Sequence, residues 1–262
     1  MNHLIDHSDE FKIDTNRIIF AGDSAGGNIA AVLTQKFSKI NPKIPKLQVL
    51  IYPWLQLYNL KLPSHLKYKP STVLSYLTFS VSKLAFWYLG ESKVTDDMKY
   101  LIETNSHIYA IDDENMRKKF NSYLDTSLIP DEYKMGKSYY NKYTNYVFNE
   151  SNKEEYDRII EENKDLKTKL VNLFNPDLSP GLADDELLKN LPNAYFIILE
   201  WDVLKDEGLI YAERLKRNNC SVTVAYYENA FHGILTYIDE NYGYRISKII
   251  FNNLTDYILK NV

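Results

Sequence analysis

Apolar positions along the chain fall into short continuous runs and helical stripes, and their order predicts the architecture. Ile18 to Ala21 is a β-branched apolar run of the kind carried by a strand buried on both faces. A glycine-flanked turn follows. Ile29, Val32, Leu33 and Phe37 then recur at helical spacing, which predicts a helix from near Gly27 to about Lys39. Asn41-Pro42-Lys43-Ile44-Pro45 reads as a loop, and Leu47 to Tyr52 as a second apolar strand closed by Pro53. Strand, helix, strand is one βαβ unit of a parallel sheet. Upstream of it, Leu4 to Phe11 read as the last turns of a helix with no cap before them.

From about Leu60 to Asp185 the pattern changes. Val81 to Leu89 predict an aromatic-rich helix around Phe86, Trp87 and Tyr88, and Glu154 to Leu170 a charged one. Between them Ser138-Tyr139-Tyr140-Asn141-Lys142-Tyr143 is polar and tyrosine-rich. This region reads as an insertion packed over the sheet, without a large core of its own, its aromatic helices being core rather than substrate pocket. The sheet resumes with a third strand over Asn193 to Glu200. A helix follows with Leu209, Ala212 and Leu215 on one face, then a fourth strand over Ser221 to Glu228, with Val222, Val224 and Tyr226 alternating. Asn229 to Gly233 reads as a loop, and Ile246, Ile249, Ile250, Leu254 and Ile258 as a final amphipathic helix. The expected division is an α/β core over 1–59, a cap-like insertion over 60–185 and core again over 186–262. No internal repeat is apparent.

The turn after the first strand carries candidate chemistry. Gly22-Asp23-Ser24-Ala25-Gly26 is a G-x-S-x-G nucleophile elbow, set between a strand and a helix as that motif requires. A serine on so tight a turn is held in a strained backbone conformation with its hydroxyl pushed clear of the sheet. Gly22 and Gly26 omit the Cβ atoms expected to collide there. The helix that follows points its free N–H groups and positive dipole end at the place where an oxyanion would form. The plainer reading, a glycine-rich turn with a polar helix cap, weakens in this context.

Acyl transfer also needs a base and a carboxylate to orient it. Ser24, Asp202 and His232 occur in that order, each at or just beyond the carboxyl end of a predicted strand. His3, His7, His65 and His107 lie in the N-terminal stretch or the insertion. Asp206 rivals Asp202, but four residues further on it fits better in the first turn of a helix.

Composition narrows the partners. A net charge of −4 over 262 residues offers no electrostatic reason to expect nucleic acid. No run approaches 18 apolar residues, and Met1 to His7 lack the basic start and apolar stretch of a signal peptide. Cys220 is the only cysteine, so it has no internal disulfide partner and reads as a small buried side chain. Asn149, Asn219 and Asn253 sit in N-x-S/T sequons, which an asparagine-rich chain also produces by chance.

Gly22 to Asn28, Tyr52-Pro53, Asp202-Val203-Leu204-Lys205-Asp206-Glu207-Gly208 and Phe231-His232-Gly233 together resemble the hormone-sensitive lipase family of α/β-hydrolases. Phe86-Trp87, Thr126 to Lys134 and Ser179 to Asp185 are similar to the cap of its arylacetamide deacetylase and neutral cholesterol ester hydrolase branch. The resemblance implies an α/β fold with parallel strands, helices and a helical cap. It also implies a carboxylic ester or amide hydrolase acting on small apolar substrates. The family mechanism carries over as Ser24 nucleophile, His232 base, Asp202 orienting acid and the Ala25 N–H as oxyanion donor, with no cofactor and no metal.

The family also places an H-G-G-G loop upstream of the elbow. Only 16 residues precede Arg17, and Gly22 is the first glycine. That loop, the first strands, a membrane-anchoring N-terminus and part of the cap are therefore expected to be missing from a truncated chain. Membrane association, and an endoplasmic reticulum location on the lumenal side, would then belong only to a full-length parent. An uncovered edge on the elbow strand would favour aggregation. Two other readings compete. One is an inactive fragment or descendant that binds an apolar ligand without turnover; the other is a peptidase or thioesterase on the same elbow.

Overall fold

A computed structural model describes residues 2–68, 75–134, 151–239 and 241–262, with 75–80 and 151 described by backbone alone. The tyrosine-rich stretch 138–143 and the sequon at Asn149 lie outside the described residues. Four strands, β1 (Ile19–Asp23), β2 (Leu47–Ile51), β3 (Asn193–Trp201) and β4 (Val222–Phe231), form one sheet in the order β1-β2-β3-β4. Every pairing is parallel, with Ala21 beside Val49, Val49 beside Tyr195 and Ile197 beside Ala225.

Both faces of the sheet are covered, and for that reason β3 is apolar from Ala194 to Leu199, and β2 apart from the buried Gln48, at successive positions rather than at alternate ones. On one side Leu50, Phe196 and Ile198 meet α3 (Ala25–Ile40) and α11 (Lys205–Arg217) through Ala30, Ala31, Leu209, Ala212 and Leu215. On the other, Val49, Tyr195, Ile197 and Leu199 meet Ile250 and Leu254 of α12 (Arg245–Asn261). Val222, Val224 and Tyr226 of β4 face the first layer, and Ala225 and Tyr227 the second.

Several expectations need correction. β1 is not buried on both faces: only Phe20 is buried, while Ala21 and Asp23 are exposed. Among the described residues it is an edge strand, bonded to β2 alone. α3 opens at Ala25, not near Gly27, and turns Gly27, Ala30, Ala31, Thr34 and Gln35 to the interior. Ile29 is 60 % exposed. Gly27, Ala30 and Ala31 face the sheet, and further along Leu33 and Phe37 pack against the same core. The stretch read as one helix end is two short helices, α1 (Asn2–Asp6) and α2 (Ser8–Phe11), neither with a buried residue. The expected loop from Asn229 is strand as far as Phe231, which leaves His232 at its tip.

The insertion does have a large core. It comprises α4 (Pro63–Tyr68), α5 (Ser75–Tyr88), α6 (Asp96–Glu103), α7 (Glu114–Tyr123), α8 (Ser151–Glu162) and α9 (Lys164–Asn172), with short α10 (Asp185–Leu188) leading back to β3. The predicted charged helix is thus two, broken at Asn163. Phe86, Leu101, Ile102, Ile108, Leu166, Leu170 and Phe174 pack around Tyr58. Helices α5 to α9 add apolar side chains that close on one another, whereas Leu188 of α10 packs on the sheet side and Tyr68 of α4 beside Val203 and Leu204. Phe86 is fully buried there, whereas its neighbour Trp87 is 56 % exposed. Among the described residues no helix is long and apolar enough to cross a membrane.

Phe86→Ala should therefore cost about 3–5 kcal/mol of stability, and Trp87→Ala no more than about 1. Urea unfolding of the two variants measures the difference, and equal losses would contradict this packing.

Candidate active site

Ser24 lies between β1 and α3 with φ +54° and ψ −116°, a conformation that L residues rarely adopt. Two hydrogen bonds to the β2 side hold it. Its N–H donates to the Ile51 carbonyl at 2.9 Å, and its own carbonyl accepts from the Trp54 N–H at 3.0 Å. A Cβ on Gly22 would sit 2.2 Å from the Gly26 carbonyl oxygen, so Gly22 is needed where it stands. Gly26 differs from expectation: a Cβ there would come no closer than 3.8 Å, to Asp23 Oδ1. The second crowded position is Gly27, where a Cβ would lie 2.7 Å from Pro53 Cβ. Proximity in sequence suggested Gly26, but packing of the helix against the end of β2 selects Gly27. Ala25 is the first residue of α3, so its N–H belongs to the helix-start donors that have no intrahelical acceptor.

Asp202 and His232 are carried to the same place by the ends of the next strands. Asp202 follows β3 and is buried; its Oδ1 accepts from the Leu204 N–H at 2.9 Å, which fixes the carboxylate plane. Its Oδ2 is 2.9 Å from His232 Nδ1. His232 Nε2 is 2.9 Å from Ser24 Oγ. A carboxylate can only accept, so Nδ1 carries the proton and Nε2 offers its lone pair to the serine hydroxyl. Burial opposes charge on the imidazole, but the Asp202 carboxylate and its hydrogen bond, with Asp23 beyond, outweigh it and raise the pKa. Tyr52, itself at φ +33°, packs its ring 4.8 Å from that of His232.

The rival acid is placed elsewhere. Asp206, in the first turn of α11, accepts from the Ser64 N–H at 2.7 Å and turns toward the insertion. His107 is fully buried in the insertion between the Leu57 and Leu101 carbonyls, and burial pushes it down to about 4. His3 and His7 lie against each other at the N-terminal end, their rings tilted by 43° with centroids 4.2 Å apart. His65 is buried in α4, and Cys220 is buried with its thiol pushed up by desolvation.

Trp54, Tyr68, Val203, Leu204 and Phe231 form an apolar cluster beside the three polar side chains. Sequence reasoning passed over Trp54 and Tyr68, which have no motif of their own. It took in Glu207 only as part of a longer run. Glu207 is buried, and desolvation raises its carboxyl to about 8 although donors at Leu55 and Gln56 pull the other way. Among the described residues no group of three or more His, Cys, Asp or Glu is arranged to hold a metal ion.

Comparison with known proteins gives the same outline. Residues 1–113 and 128–236 match the family described as alpha/beta hydrolase fold. Arylacetamide deacetylase of Bos taurus is 32 % identical over 248 residues, covering 93 % of this chain and 55 % of that one. Neutral cholesterol ester hydrolase 1 of Mus musculus is 31 % identical over 233 residues, covering 87 % and 51 %. The chain thus spans about half the length of the curated relatives it matches. Carboxyl esterase 2 from Tuber melanosporum shares the fold at a TM-score of 0.56 and 16 % identity, over 100 % of this chain and 58 % of that one.

The turn makes a graded prediction for thermal melting. Gly22→Ala and Gly27→Ala should each destabilise by about 1–3 kcal/mol or more through overpacking. Gly26→Ala should be neutral or slightly stabilising, since alanine suits a helix better by about 0.5–1 kcal/mol. A Gly26→Ala loss as large as the other two would contradict the geometry.

Proposed function

Because the chain belongs to the α/β-hydrolase family, in the hormone-sensitive lipase group, we propose that it hydrolyses carboxylic esters with apolar acyl groups, and amides by the same chemistry, through an acyl-enzyme on Ser24. The observation that carries this reading is the continuous line from Asp202 Oδ2 through His232 to Ser24 Oγ, with both contacts at 2.9 Å. In the first half-reaction Ser24 Oγ attacks the carbonyl carbon while His232 Nε2 takes its proton. The C–O or C–N bond to the leaving group then breaks as Nε2 returns that proton to the departing alkoxide or amine. In the second half-reaction water repeats the attack, with His232 again as base, and the acid leaves Ser24. Asp202 holds the productive tautomer and stabilises the imidazolium.

The Ala25 N–H, at the positive end of α3, is the assigned donor to the tetrahedral oxyanion. The cluster of Trp54, Tyr68, Val203, Leu204 and Phe231 supports the preference for apolar substrates, because it places apolar surface against all three catalytic segments.

A fluorophosphonate should label Ser24 covalently, and Ser24→Ala or His232→Ala should each lower kcat by roughly 10⁶, the double change by little more. Turnover of a short-chain p-nitrophenyl ester tests this, and an undiminished rate in either single variant would refute the assignment. Asp202→Asn should cost on the order of 10⁴ by leaving His232 in the wrong tautomer. Asp206→Asn should cost far less; the reverse ranking would move the acid to 206.

The base works only when neutral, so protonation at low pH removes activity. Its pKa is raised, and kcat/KM should therefore fall on acidification through a midpoint above the ordinary histidine value of about 6.5. A pH–rate profile centred below that value would contradict the Asp202 contact.

A further inference from the structure

The nucleophile and the acid–base pair come from separate strands, and a two-residue backbone bridge joins them. All four peptide groups of Trp54 and Leu55 are engaged. The Trp54 N–H donates to the Ser24 carbonyl at 3.0 Å, and the Trp54 carbonyl accepts from Asn28 Nδ2 at 2.8 Å. On the next residue the Leu55 carbonyl accepts from the Gly181 N–H at 2.7 Å, and the Leu55 N–H donates to Glu207 Oε1 at 2.6 Å. Trp54 thus holds the elbow, and Leu55 holds the first turn of α11, five residues beyond Asp202.

Glu207 is buried, and its other oxygen accepts from Gln56 Nε2 at 2.8 Å. Gln56 in turn accepts the N–H groups of Tyr58 and Asn59 through Oε1, which fixes which way its amide faces. A carboxyl group is suited to this place because each of its two oxygens meets a donor, the Leu55 N–H at one and Gln56 Nε2 at the other. Asp206 beside it binds Ser64 in the insertion, so the two adjacent carboxylates act on different segments.

We propose that Glu207 is a positioning residue for hydrolysis: by holding Leu55 it sets the separation between Ser24 and the Asp202–His232 pair. This rests on the ester-hydrolase reading. Glu207 touches no reacting atom. Its effect passes through one peptide unit to the Ser24 carbonyl and through one helical turn to Asp202. Displacement of a nucleophile by about 1 Å costs roughly 10²-fold in rate, so the coupling acts on the chemical step rather than on binding.

The test compares the wild-type chain with Glu207→Ala and Glu207→Gln by the kinetics of Ser24 labelling with a fluorophosphonate. Labelling is separated into its maximal rate and its half-saturating concentration, and melting temperatures are recorded alongside. Glu207→Ala should lower the maximal rate by roughly 10² and change the half-saturating concentration by less than about threefold. Glu207→Gln keeps an acceptor for the Leu55 N–H but turns an NH₂ toward Gln56 Nε2. It should recover part of this loss and remain roughly three- to tenfold below wild type.

The far-downfield proton of His232 Nδ1, read by NMR, should shift or broaden in Glu207→Ala, because it reports the Asp202 contact without turnover. A purely structural role would lower the melting temperature and leave the folded protein's labelling rate and this resonance unchanged, and that result overturns the proposal. If Glu207→Ala does not fold, Glu207→Gln decides: a folded glutamine variant with the wild-type labelling rate and resonance overturns it. An unlabelled wild-type chain counts against the ester-hydrolase reading instead, and the His232 resonance then tests the positioning role by itself.

Discussion

A backbone φ of +54° at a residue with a side chain costs about 1–3 kcal/mol, so Ser24 stays there only because its surroundings leave no alternative. The Ile51 carbonyl and the Trp54 N–H take both of its peptide groups. Gly22 and Gly27 leave room for the strand to reverse into the helix without collision. The hydroxyl consequently projects from the sheet toward His232, and the start of α3 lies directly behind it. The site depends on this one constrained turn, whose restraints come from β2 and the segment after it rather than from the elbow itself.

α11 performs a comparable task for the other half of the site. Its first turn is unusually charged for a buried segment: Lys205, Asp206 and Glu207 are each nearly inaccessible. Burial of an uncompensated charge is costly, so each must find partners. Lys205 Nζ donates to the Tyr133 carbonyl, Asp206 binds Ser64, and Glu207 binds Leu55 and Gln56. Further along, Arg214 donates to the Gly181 and Ala183 carbonyls and stacks 3.9 Å over the Tyr123 ring. Every one of these contacts reaches into the insertion or its connections. The helix that follows Asp202 is therefore also a part that ties the insertion to the sheet.

The cap then has two kinds of attachment. Its interior is apolar and closes on itself around Tyr58, Phe86 and Phe174. Its junction with the sheet combines the apolar contacts of Leu62, Ile129 and Leu188 with directional hydrogen bonds to α11 and of Gly181 on Leu55. Apolar burial is non-directional and gives cohesion; buried hydrogen bonds fix orientation, because a misplaced donor is left unpaired.

Sequence and tertiary structure divide this protein along physical lines. The strands, the elbow and the three catalytic candidates were readable in sequence. A strand covered on both faces must be continuously apolar, and a sharp strand-to-helix turn must carry glycine, so local chemistry records them. The same logic misled at Ile18 to Ala21, since a β-branched run describes a strand but not the burial of its two faces; the uncovered edge expected of that strand is what the described sheet shows. It also misled at Ile29, which is exposed although Leu33 and Phe37 of the same predicted stripe pack against the core. Gly27, the Trp54–Leu55 bridge and the partners of Glu207 could not be read from one stretch. Each is a contact between segments from 26 to 152 residues apart, as with Asn28 on Trp54 and Leu55 on Glu207. Local pattern determines what a residue can do; the close approach of distant backbone decides which residue has to do it.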